Sequence, residues 1–222
     1  MMSYAAWLFD CDGVMLDSNS IKTDAFHRAA LPHGEAAAAA LVSYHTAHGG
    51  ISRFEKFDYL FRHILGRTSY DDDMAQALDQ FSRLTREALL SAPEAPGLRT
   101  LLERINTGGG RAFVVTGGME DEVRSVLEER GLAALFTGIF GSPASKDEIF
   151  QTQLASGTMA RPGVYFGDSR YDYDVASRHG MDFVFVSDWS EFAGWQTFFA
   201  DRPVTIISRL GEFPPPDGVS ST

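Results

Sequence analysis

Cysteine, long apolar runs and positive charge are all scarce in this sequence, and each shortage excludes a class of protein. One cysteine, Cys11, stands among the 222 residues, so no internal disulfide can form and a reducing, cytoplasmic location is expected. The apolar runs are far shorter than the roughly 20 residues of a membrane span, and we expect no membrane span and no signal peptide. The 30 acidic residues outnumber the 19 basic ones, and the net charge of −11 argues against binding to nucleic acid or to an anionic membrane.

What remains is the composition of an ordinary globular protein, with 44% hydrophobic and 22% charged residues. The length suits one large domain, or one domain that carries a smaller insert. An acidic chain can still form a locally positive pocket, so a small anionic ligand is compatible with the net charge. We take a monomer as the default, with a dimer as the alternative.

Short apolar strands alternate with helices in most of the chain. Buried strands are predicted at residues 4–9, 112–115, 135–140, 163–166, 183–186 and, more weakly, 204–207. Helices are predicted between them, at 98–106, 120–130, 146–155 and 172–179. Such alternation is typical of a parallel sheet that is covered on both faces. The predicted fold class is therefore α/β, with a Rossmann-like, doubly wound core.

Residues 18–91 interrupt this pattern, because they contain no convincing strand. Helical periodicity is present in four segments, TDAFHRAAL, EAAAAALVSYHTAH, SRFEKFDYLFRHIL and DDDMAQALDQFSRLTREALL. Glycine and proline separate these segments. We predict an all-helical cap at 18–91, inserted after the first strand of a core made of residues 1–17 and 92–222. The proline-rich end, FPPPDGVSST, is expected to be a loose tail.

The first strand ends in two aspartates one residue apart, in the stretch YAAWLFDCDGVMLD. Burying carboxylates at the end of an apolar strand is costly unless something pairs with them. Side chains two residues apart on an extended segment point the same way, so Asp10 and Asp12 can reach one common group. This placement suggests a site rather than a simple turn.

Polar residues also follow later predicted strands. Thr116, Gly117 and Gly118 end one strand, and Gly167, Asp168 and Ser169 end another, with Asp172 four residues later and Lys146 at a helix start. Ligands of an open parallel sheet gather at the carboxyl ends of its strands. Each residue alone has an ordinary alternative: a turn for the aspartate pair, a helix cap for Thr116, Asp168 and Asp172, and a solvated position for Lys146. Their joint order at strand ends favours one shared crevice.

The pattern DxDGV, then threonine, then lysine, then GDSxxD, with a helical insert after the first motif, resembles the haloacid dehalogenase-like hydrolases, a group dominated by phosphatases. The resemblance implies that Asp10 attacks phosphorus and forms an aspartyl-phosphate. It implies that Asp12 protonates the leaving alcohol and later activates water. Thr116 and the amide of Gly117 would hold phosphate oxygens, and Lys146 would stabilise them and keep Asp10 ionised.

The same resemblance implies a magnesium site. Mg²⁺ prefers oxygen ligands and accompanies phosphate groups. Asp10, Asp168 and the backbone carbonyl of Asp12 would bind it directly. Asp172 would lie close by, as a ligand or through a metal-bound water.

The cap adds candidate residues for binding the rest of the substrate. HGGISRFEKF resembles the specificity loop of β-phosphoglucomutase-like members, in which glycine and serine precede an arginine. On that pattern Arg53 would hold a distal phosphate or carboxylate, and Lys56, one helical turn further, would assist. Lys22 lies where the chain passes the active site into the cap and is a third candidate for substrate contact. A surface arginine at a helix start is the alternative for Arg53.

These features predict a Mg²⁺-dependent phosphatase that hydrolyses a small soluble phosphomonoester. A phosphomutase of the β-phosphoglucomutase type is the alternative enzyme, because DxDGV and a cap arginine suit both. A binding protein without catalysis, whose ligand is a phosphorylated metabolite, is a third possibility. Dehalogenation and phosphonate cleavage are disfavoured, since neither needs the second aspartate, Asp12.

Overall fold

A six-stranded parallel sheet is the centre of the computed structural model, which describes residues 4–214. Its strands are β1 (Ala6–Phe9), β2 (Arg111–Met119), β3 (Gly138–Ser142), β4 (Gly163–Gly167), β5 (Asp182–Val186) and β6 (Thr205–Ile207). They lie in the order β3-β2-β1-β4-β5-β6. The α/β fold class is confirmed. Of the expected loose tail, residues 215–222 lie outside the described residues.

β1 lies in the middle of the sheet and is buried on both faces. Trp7 and Phe9 join one apolar cluster, and Ala6 and Leu8 join another on the opposite face. The ring of Phe9 stacks on that of Phe166 in β4, with centroids 4.8 Å apart. A strand that is buried on both sides has to be apolar throughout, which explains the unbroken run that precedes the aspartates.

Four helices fill the chain between β1 and the rest of the sheet. They are α1 (Asn19–Ala30), α2 (Glu35–Ala47), α3 (Arg53–Tyr59), which continues into a π-helical segment at Leu60–Ile64, and α4 (Asp71–Ser91). Phe26, Phe57, Phe61 and Phe81 are buried together in an apolar cluster of their own. This helical block therefore has a core separate from the two sheet faces.

The chain enters and leaves the helical block side by side. The amide of Asp17 donates to the carbonyl of Pro93 over 3.0 Å, and the amide of Ala95 donates to the carbonyl of Met15 over 2.9 Å. This short antiparallel pair ties the entry to the exit just beyond β1. The division into a core of 1–17 and 92–222 and a cap of 18–91 stays a proposal that this geometry supports.

Helices cover both faces of the sheet, as predicted for a doubly wound core. They are α5 (Leu98–Thr107), α6 (Glu120–Glu129), α7 (Lys146–Ala155), α8 (Arg170–Arg178) and α9 (Trp195–Phe199). The apolar side chains of α5 and α6 join the cluster on one face, and those of α7, α8 and α9 join the cluster on the other. No described helix combines the length and the apolar character needed to cross a bilayer.

Several details differ from the sequence-based prediction. Strand β2 continues to Met119, so Thr116, Gly117 and Gly118 lie within it and not after it. Strand β3 begins at Gly138 and not at 135, because Ala133–Leu135 form a 3-10 turn.

Helix α8 begins two residues earlier than the predicted 172, because Ser169 and Asp172 form a reciprocal capping box at its start. Helix α9 was not predicted, because five residues are too few to show helical periodicity. Its Phe199 is buried among aromatic residues, including Phe183 and Phe185.

Packing of the sheet gives a test of the fold. Phe113 in β2 is fully buried, whereas Leu31 just after α1 is 45% exposed. We expect Phe113→Ala to lower the free energy of unfolding by about 3–5 kcal/mol, because it leaves a cavity between sheet and helices. Leu31→Ala should change it by no more than about 0.5 kcal/mol. Urea unfolding measures both values, and equal losses would contradict this placement of the core.

Candidate active site

The strand ends meet at one edge of the sheet, under the helical block. β1 pairs with β2 and β4 in parallel, with Phe9 opposite Val114 and Phe166, so the residues that follow these strands lie at the same level. Between this edge and the helical block lies a cavity of about 360 Å³. Its walls include Asp10, Asp12, Gly117 and Asp168 from the sheet edge. Its volume suits a small metabolite.

Asp10 is buried at the base of this edge. One of its carboxylate oxygens, Oδ2, lies 2.8 Å from the Nζ atom of Lys146. The other, Oδ1, accepts a hydrogen bond from the amide of Cys11 over 2.7 Å. Burial raises the pKa of Asp10 to about 7, and the ammonium of Lys146 limits that rise. Sequence reasoning predicted the meeting of Asp10 and Lys146, which are 136 positions apart in the chain, and the structure brings them into contact.

Lys146 is 1% exposed, so it is not a solvated surface lysine. It is the first residue of α7, and Ser145 forms a capping box with Glu148 that holds the start of the helix. Burial would lower the pKa of Lys146, but the charges of Asp10 and Asp172 outweigh it and raise the pKa. Its ammonium is therefore a fixed positive charge beside Asp10.

Asp172 uses both carboxylate oxygens within the protein. Oδ1 accepts from Lys146 Nζ over 2.6 Å and from the Tyr165 hydroxyl over 2.9 Å. Oδ2 accepts from the amide and the hydroxyl of Ser169, over 3.1 Å and 2.6 Å. Asp172 is thus both the second member of the capping box at the start of α8, where Ser169 is the N-cap, and the second partner of Lys146. These contacts make it a positioning residue for Lys146, while its role as a metal ligand stays a prediction.

Asp168 completes a cluster of three buried carboxylates. One oxygen each of Asp10, Asp168 and Asp172 lies within 4.8 Å of the others. Burial, followed by the negative charges of Asp10 and Asp172, raises the pKa of Asp168 well above its usual range. When all three are ionised, three carboxylates against one ammonium leave an excess of negative charge, and the raised pKa values of Asp10 and Asp168 reflect burial and that repulsion. The oxygen donors and this excess fit a divalent cation such as Mg²⁺.

Gly13 leaves the space that Asp168 occupies. Its φ angle is +72°, and a Cβ atom there would lie 2.2 Å from the Oδ2 atom of Asp168. That oxygen accepts a hydrogen bond from the side-chain amide of Asn19 over 2.7 Å. Glycine after the aspartate pair is therefore needed both for the turn and for the approach of the third carboxylate.

Asp12 has different surroundings from Asp10. Its Oδ1 atom accepts from the Ser18 hydroxyl over 2.6 Å, and its Oδ2 atom forms an ion pair with Lys22. Burial alone would raise the pKa of Asp12, but the charge of Lys22 and these hydrogen bonds lower it. The two aspartates therefore have pKa values shifted in opposite directions, with Asp12 the more acidic in the free protein. Opposed shifts within one pair are typical of acid–base sites.

Thr116 and Gly117 lie beside this pair at the end of the parallel ladder. The Thr116 hydroxyl oxygen accepts from the amide of Gly118 over 3.0 Å. No acceptor for its proton occurs among residues 4–214, so the O–H group can still donate to a ligand. Helix α6 begins after Met119, so Thr116 does not cap it. Its predicted contact with phosphate stays a prediction that this geometry supports.

Glycines let the helical block approach the sheet edge closely. A Cβ atom on Gly117 would lie 2.5 Å from the carbonyl oxygen of Gly50, in the loop between α2 and α3. A Cβ atom on Gly50 would lie 2.8 Å from the hydroxyl of Ser169. Backbone of the helical block therefore covers the strand ends directly and narrows access to the aspartates.

Arg53 lies in the cavity wall but is already paired. Its guanidinium makes two hydrogen bonds to the carboxylate of Glu122 on α6, of 3.1 Å and 2.8 Å, and one of 2.8 Å to Ser82. It also lies 4.7 Å above the ring of Phe81. Arg53 is 4% exposed, so the alternative of a surface arginine is excluded. Its predicted contact with a distal anion stays a prediction, and the observed contact joins the helical block to the core.

The three lysines of the chain are all at this site. Lys22, Lys56 and Lys146 are the only lysines in the sequence, and each is buried. Lys22 and Lys56 line the cavity, and Lys146 lies at its base behind Asp10. The lysines of this acidic chain are therefore concentrated at the cavity, although the carboxylates in its walls offset their charge.

Several residues of the site were not predicted from the sequence. Among them are Asn19, His45, Glu122 and Glu191, each of which holds a predicted residue or lines the cavity. Local sequence carries no signal for them, because their partners come from other elements. Asn19 and Asp168, for example, are separated by 149 positions.

This architecture agrees with a known family. The chain belongs to the haloacid dehalogenase-like hydrolases, whose family model matches residues 7–186. The predicted family is thereby confirmed. A search of curated proteins finds no match to the chain.

Solved structures with the same fold include a phosphomutase, a predicted phosphatase and a protein solved with phosphate. β-Phosphoglucomutase from Clostridium difficile has a TM-score of 0.73 and 16% identity, over 95% of this chain and 93% of that chain. A predicted phosphoglycolate phosphatase from Haemophilus somnus 129pt has a TM-score of 0.73 and 18% identity, over 95% and 96%. CbbY from Rhodobacter sphaeroides, solved with phosphate, has a TM-score of 0.69 and 18% identity, over 94% and 96%. The family describes a hydrolase, and these structures, each below 25% identity, show that the fold is shared.

The ion pair between Arg53 and Glu122 can be tested by a double-mutant cycle. We expect Arg53→Met and Glu122→Gln each to lower the free energy of unfolding, because each leaves the remaining residue without an oppositely charged partner. The double variant should lose less than the sum of the two, with a coupling energy of about 0.5–3 kcal/mol. Urea unfolding of the four proteins measures this energy. Additive losses would mean that the pair does not join the helical block to the core.

Proposed function

We propose that the protein is a Mg²⁺-dependent phosphatase that hydrolyses a small phosphomonoester through a phosphorylated Asp10. The observation that carries this proposal is the position of Asp10. It lies at the end of β1, 2.8 Å from a buried lysine, within 4.8 Å of two further carboxylates and open to a covered cavity. In this position Asp10 has the Lys146 ammonium beside it. A second carboxyl group, that of Asp12, lies two residues further along the chain.

Asp10, Asp168 and the backbone carbonyl of Asp12 are the proposed magnesium ligands, with Asp172 near them. Bound there, the cation would neutralise negative charge on the phosphoryl oxygens and on the carboxylates. The chain itself supplies the other positive charge, because the charges of Asp10 and Asp172 raise the pKa of Lys146 and favour its ammonium form. The proposal rests on the excess of negative charge in the three-carboxylate cluster.

In the first step the Asp10 carboxylate attacks phosphorus, and the bond to the substrate alcohol breaks. The alcohol oxygen takes its proton from Asp12 and leaves. In the second step Asp12 takes a proton from water, which attacks the phosphorus and releases inorganic phosphate with the original Asp10 carboxylate. Thr116 and the amide of Gly117 would donate hydrogen bonds to the phosphate oxygens throughout.

Asp12 needs a proton for the first step, although Lys22 lowers its pKa in the free protein. A negatively charged phosphate beside Asp12 opposes that effect, because a like charge raises the pKa of a carboxyl group. Asp10, as a ligand of a bound cation, would be held in its ionised form. The two aspartates would then reach the states that their proposed roles require.

A phosphomutase remains the second candidate. The fold is similar to that of β-phosphoglucomutase, with a TM-score of 0.73, and this similarity supports phosphomutase activity as an alternative. The two activities differ in the acceptor of the phosphoryl group, which is water in one case and a second sugar phosphate in the other. Release of inorganic phosphate without a bisphosphate activator distinguishes them. A protein that binds a phosphorylated metabolite without turnover is the third candidate, and a complete lack of phosphate release would favour it.

The small phosphorylated metabolite is the only partner that we propose. A cytoplasmic location, a monomeric state and the absence of nucleic-acid or membrane binding remain expectations from composition and charge.

Asp10→Asn tests the nucleophile. We expect kcat for phosphate release to fall by about 10³-fold or more, because an amide cannot form the acyl phosphate. Phosphate release from a panel of small phosphomonoesters with Mg²⁺ measures this loss. Asp79→Asn, on the exposed face of α4 where Asp79 pairs with Arg83, is the matched control and should keep the wild-type rate. A near-normal rate in Asp10→Asn would refute the assignment.

Magnesium binding can be measured without turnover. Mg²⁺ at about 100 times its Kd should stabilise the wild type by ~2.7 kcal/mol and raise the Tm accordingly. Asp168→Asn should abolish most of this increase, while Asp79→Asn should retain it. The Tm of Asp168→Asn without metal is the baseline against which its own magnesium effect is measured. An unchanged magnesium effect in Asp168→Asn would place the cation elsewhere.

A further inference from the structure

The basic side chains around the cavity differ in how they are neutralised. Lys22 pairs with Asp12, Lys146 with Asp10 and Asp172, Arg53 with Glu122 and Arg170 with Asp174. Lys56 is the exception. Within residues 4–214 no carboxylate oxygen lies within 4.0 Å of its Nζ atom, and the side chain is 3% exposed. The residue predicted only to assist Arg53 is therefore the one whose charge is still available to a ligand.

Lys56 contacts a neutral partner instead. Its Nζ atom lies 2.6 Å from the Nδ1 atom of His45 on α2, and 5.2 Å from the ring centroid of Phe26 on α1. Burial, together with the positive charge of Lys22, lowers the pKa of Lys56 to about 7. A buried ammonium without a counterion is costly, so an anion that reaches it gains an unusually favourable partner.

A hydrogen-bond chain fixes the orientation of this lysine. The ammonium of Lys56 can only donate, so Nδ1 of His45 accepts and the proton of the imidazole lies on Nε2. That Nε2–H donates to the Thr23 hydroxyl over 3.0 Å, and the hydroxyl donates to the carboxylate of Glu191 over 2.9–3.0 Å. Burial, followed by the charge of Lys56, lowers the pKa of His45 to about 2, which keeps its ring neutral.

We propose that Lys56 binds a second anionic group of the substrate, a carboxylate or phosphate remote from the phosphate that is cleaved. His45, Thr23 and Glu191 hold Lys56 in place for this contact. Arg53 instead joins the helical block to α6. The assignment rests on the phosphatase function proposed above and names its substrate class, which is a small phosphomonoester with a second negative charge.

The arrangement favours a substrate that carries the second negative charge and disfavours one that lacks it. An anion at Lys56 supplies the missing counterion, whereas a neutral substrate covers the ammonium and leaves it unpaired. Truncation of one partner of a charged hydrogen bond costs about 1.5–3 kcal/mol, or roughly 10- to 100-fold in binding. The walls of the 360 Å³ cavity include the aspartates at the sheet edge and Lys56 from the helical block, so a small molecule with two anionic groups can contact both.

Matched substrate pairs provide the kinetic test. 3-Phosphoglycerate and glycerol 3-phosphate differ in a carboxylate, as do 2-phosphoglycolate and ethyl phosphate, and fructose 1,6-bisphosphate and fructose 6-phosphate differ in a phosphate. In at least one pair the wild type should have the lower KM for the member with the second anion. Lys56→Met should raise that KM about 10- to 100-fold and change kcat/KM for the other member by less than about threefold. Arg83→Met, an exposed substitution on α4, is the control and should match the wild type.

The scarcity of lysine provides a second test that needs neither turnover nor a variant. Selective ¹³C labelling of lysine gives three side-chain signals, and the signal that titrates near pH 7 is expected to be that of Lys56. Groups that face it are His45 on α2, Lys22 on α1, and Asp12, Lys146 and Glu191 of the core. The member of a pair with the second anion should raise this pKa by about one unit or more, and the other member should not. Consistently, KM for that substrate should rise above about pH 7, where free Lys56 loses its proton.

The outcomes separate the two proposals. Turnover of both members of every pair with no preference, and no selective shift of the Lys56 signal, would overturn the assignment of Lys56 and leave the phosphatase function intact. A selective shift without any phosphate release would support the anion site and overturn the phosphatase function. An equal effect of Lys56→Met on both members of each pair would assign Lys56 a structural role and refute the proposal.

Discussion

The buried contact of Lys146 with Asp10 and Asp172 is the interaction on which the rest of the site depends. One ammonium joins the end of β1 to the starts of α7 and α8, and both carboxylates lie within 2.8 Å of it. Charges removed from water are costly unless they are closely paired, so these three elements have to meet for the carboxylates to be buried at all. The same contact therefore constrains both the order of the strands in the sheet and the geometry of the site. The excess of negative charge that remains in the cluster is what makes the site suitable for a cation.

The helical block adds a second layer of selection above this cluster. Its loop backbone covers the strand ends, with glycines at 50 and 117 allowing the approach. Most of its basic side chains at the cavity are neutralised by carboxylates, and those contacts either tune a catalytic group, as Lys22 does for Asp12, or join the block to the core, as Arg53 does through Glu122. Lys56 differs because its partner is a neutral histidine. On the proposals made above, the residues of the sheet edge would carry the chemistry and Lys56 of the helical block would select the substrate.

Much of the fold could be predicted from the sequence, because apolar patterns and breaks are local signals. All six strands and the main helices of the core occur where periodicity placed them, within a few residues. The exceptions have local causes that periodicity does not detect, namely the capping box that starts α8 early and the short helix α9. Asp10, Lys146 and Asp168 were expected in one crevice because parallel strands place their ends together, and the structure does bring them together. Their individual chemical roles still rest on the resemblance and on the proposals made here.

The sequence by itself determined the fold class, the order of strand and helix, the helical insert and the polar residues at the strand ends. Hydrophobic patterns and turn-forming residues act over a few neighbouring positions, so these features can be recognised directly in the sequence. Only the tertiary structure decided which charges pair. Arg53 meets Glu122 across 69 positions and Asn19 meets Asp168 across 149. Such pairings depend on how each helix is rotated and where the chain returns, which is why Lys56, and not Arg53, keeps its charge available in the cavity.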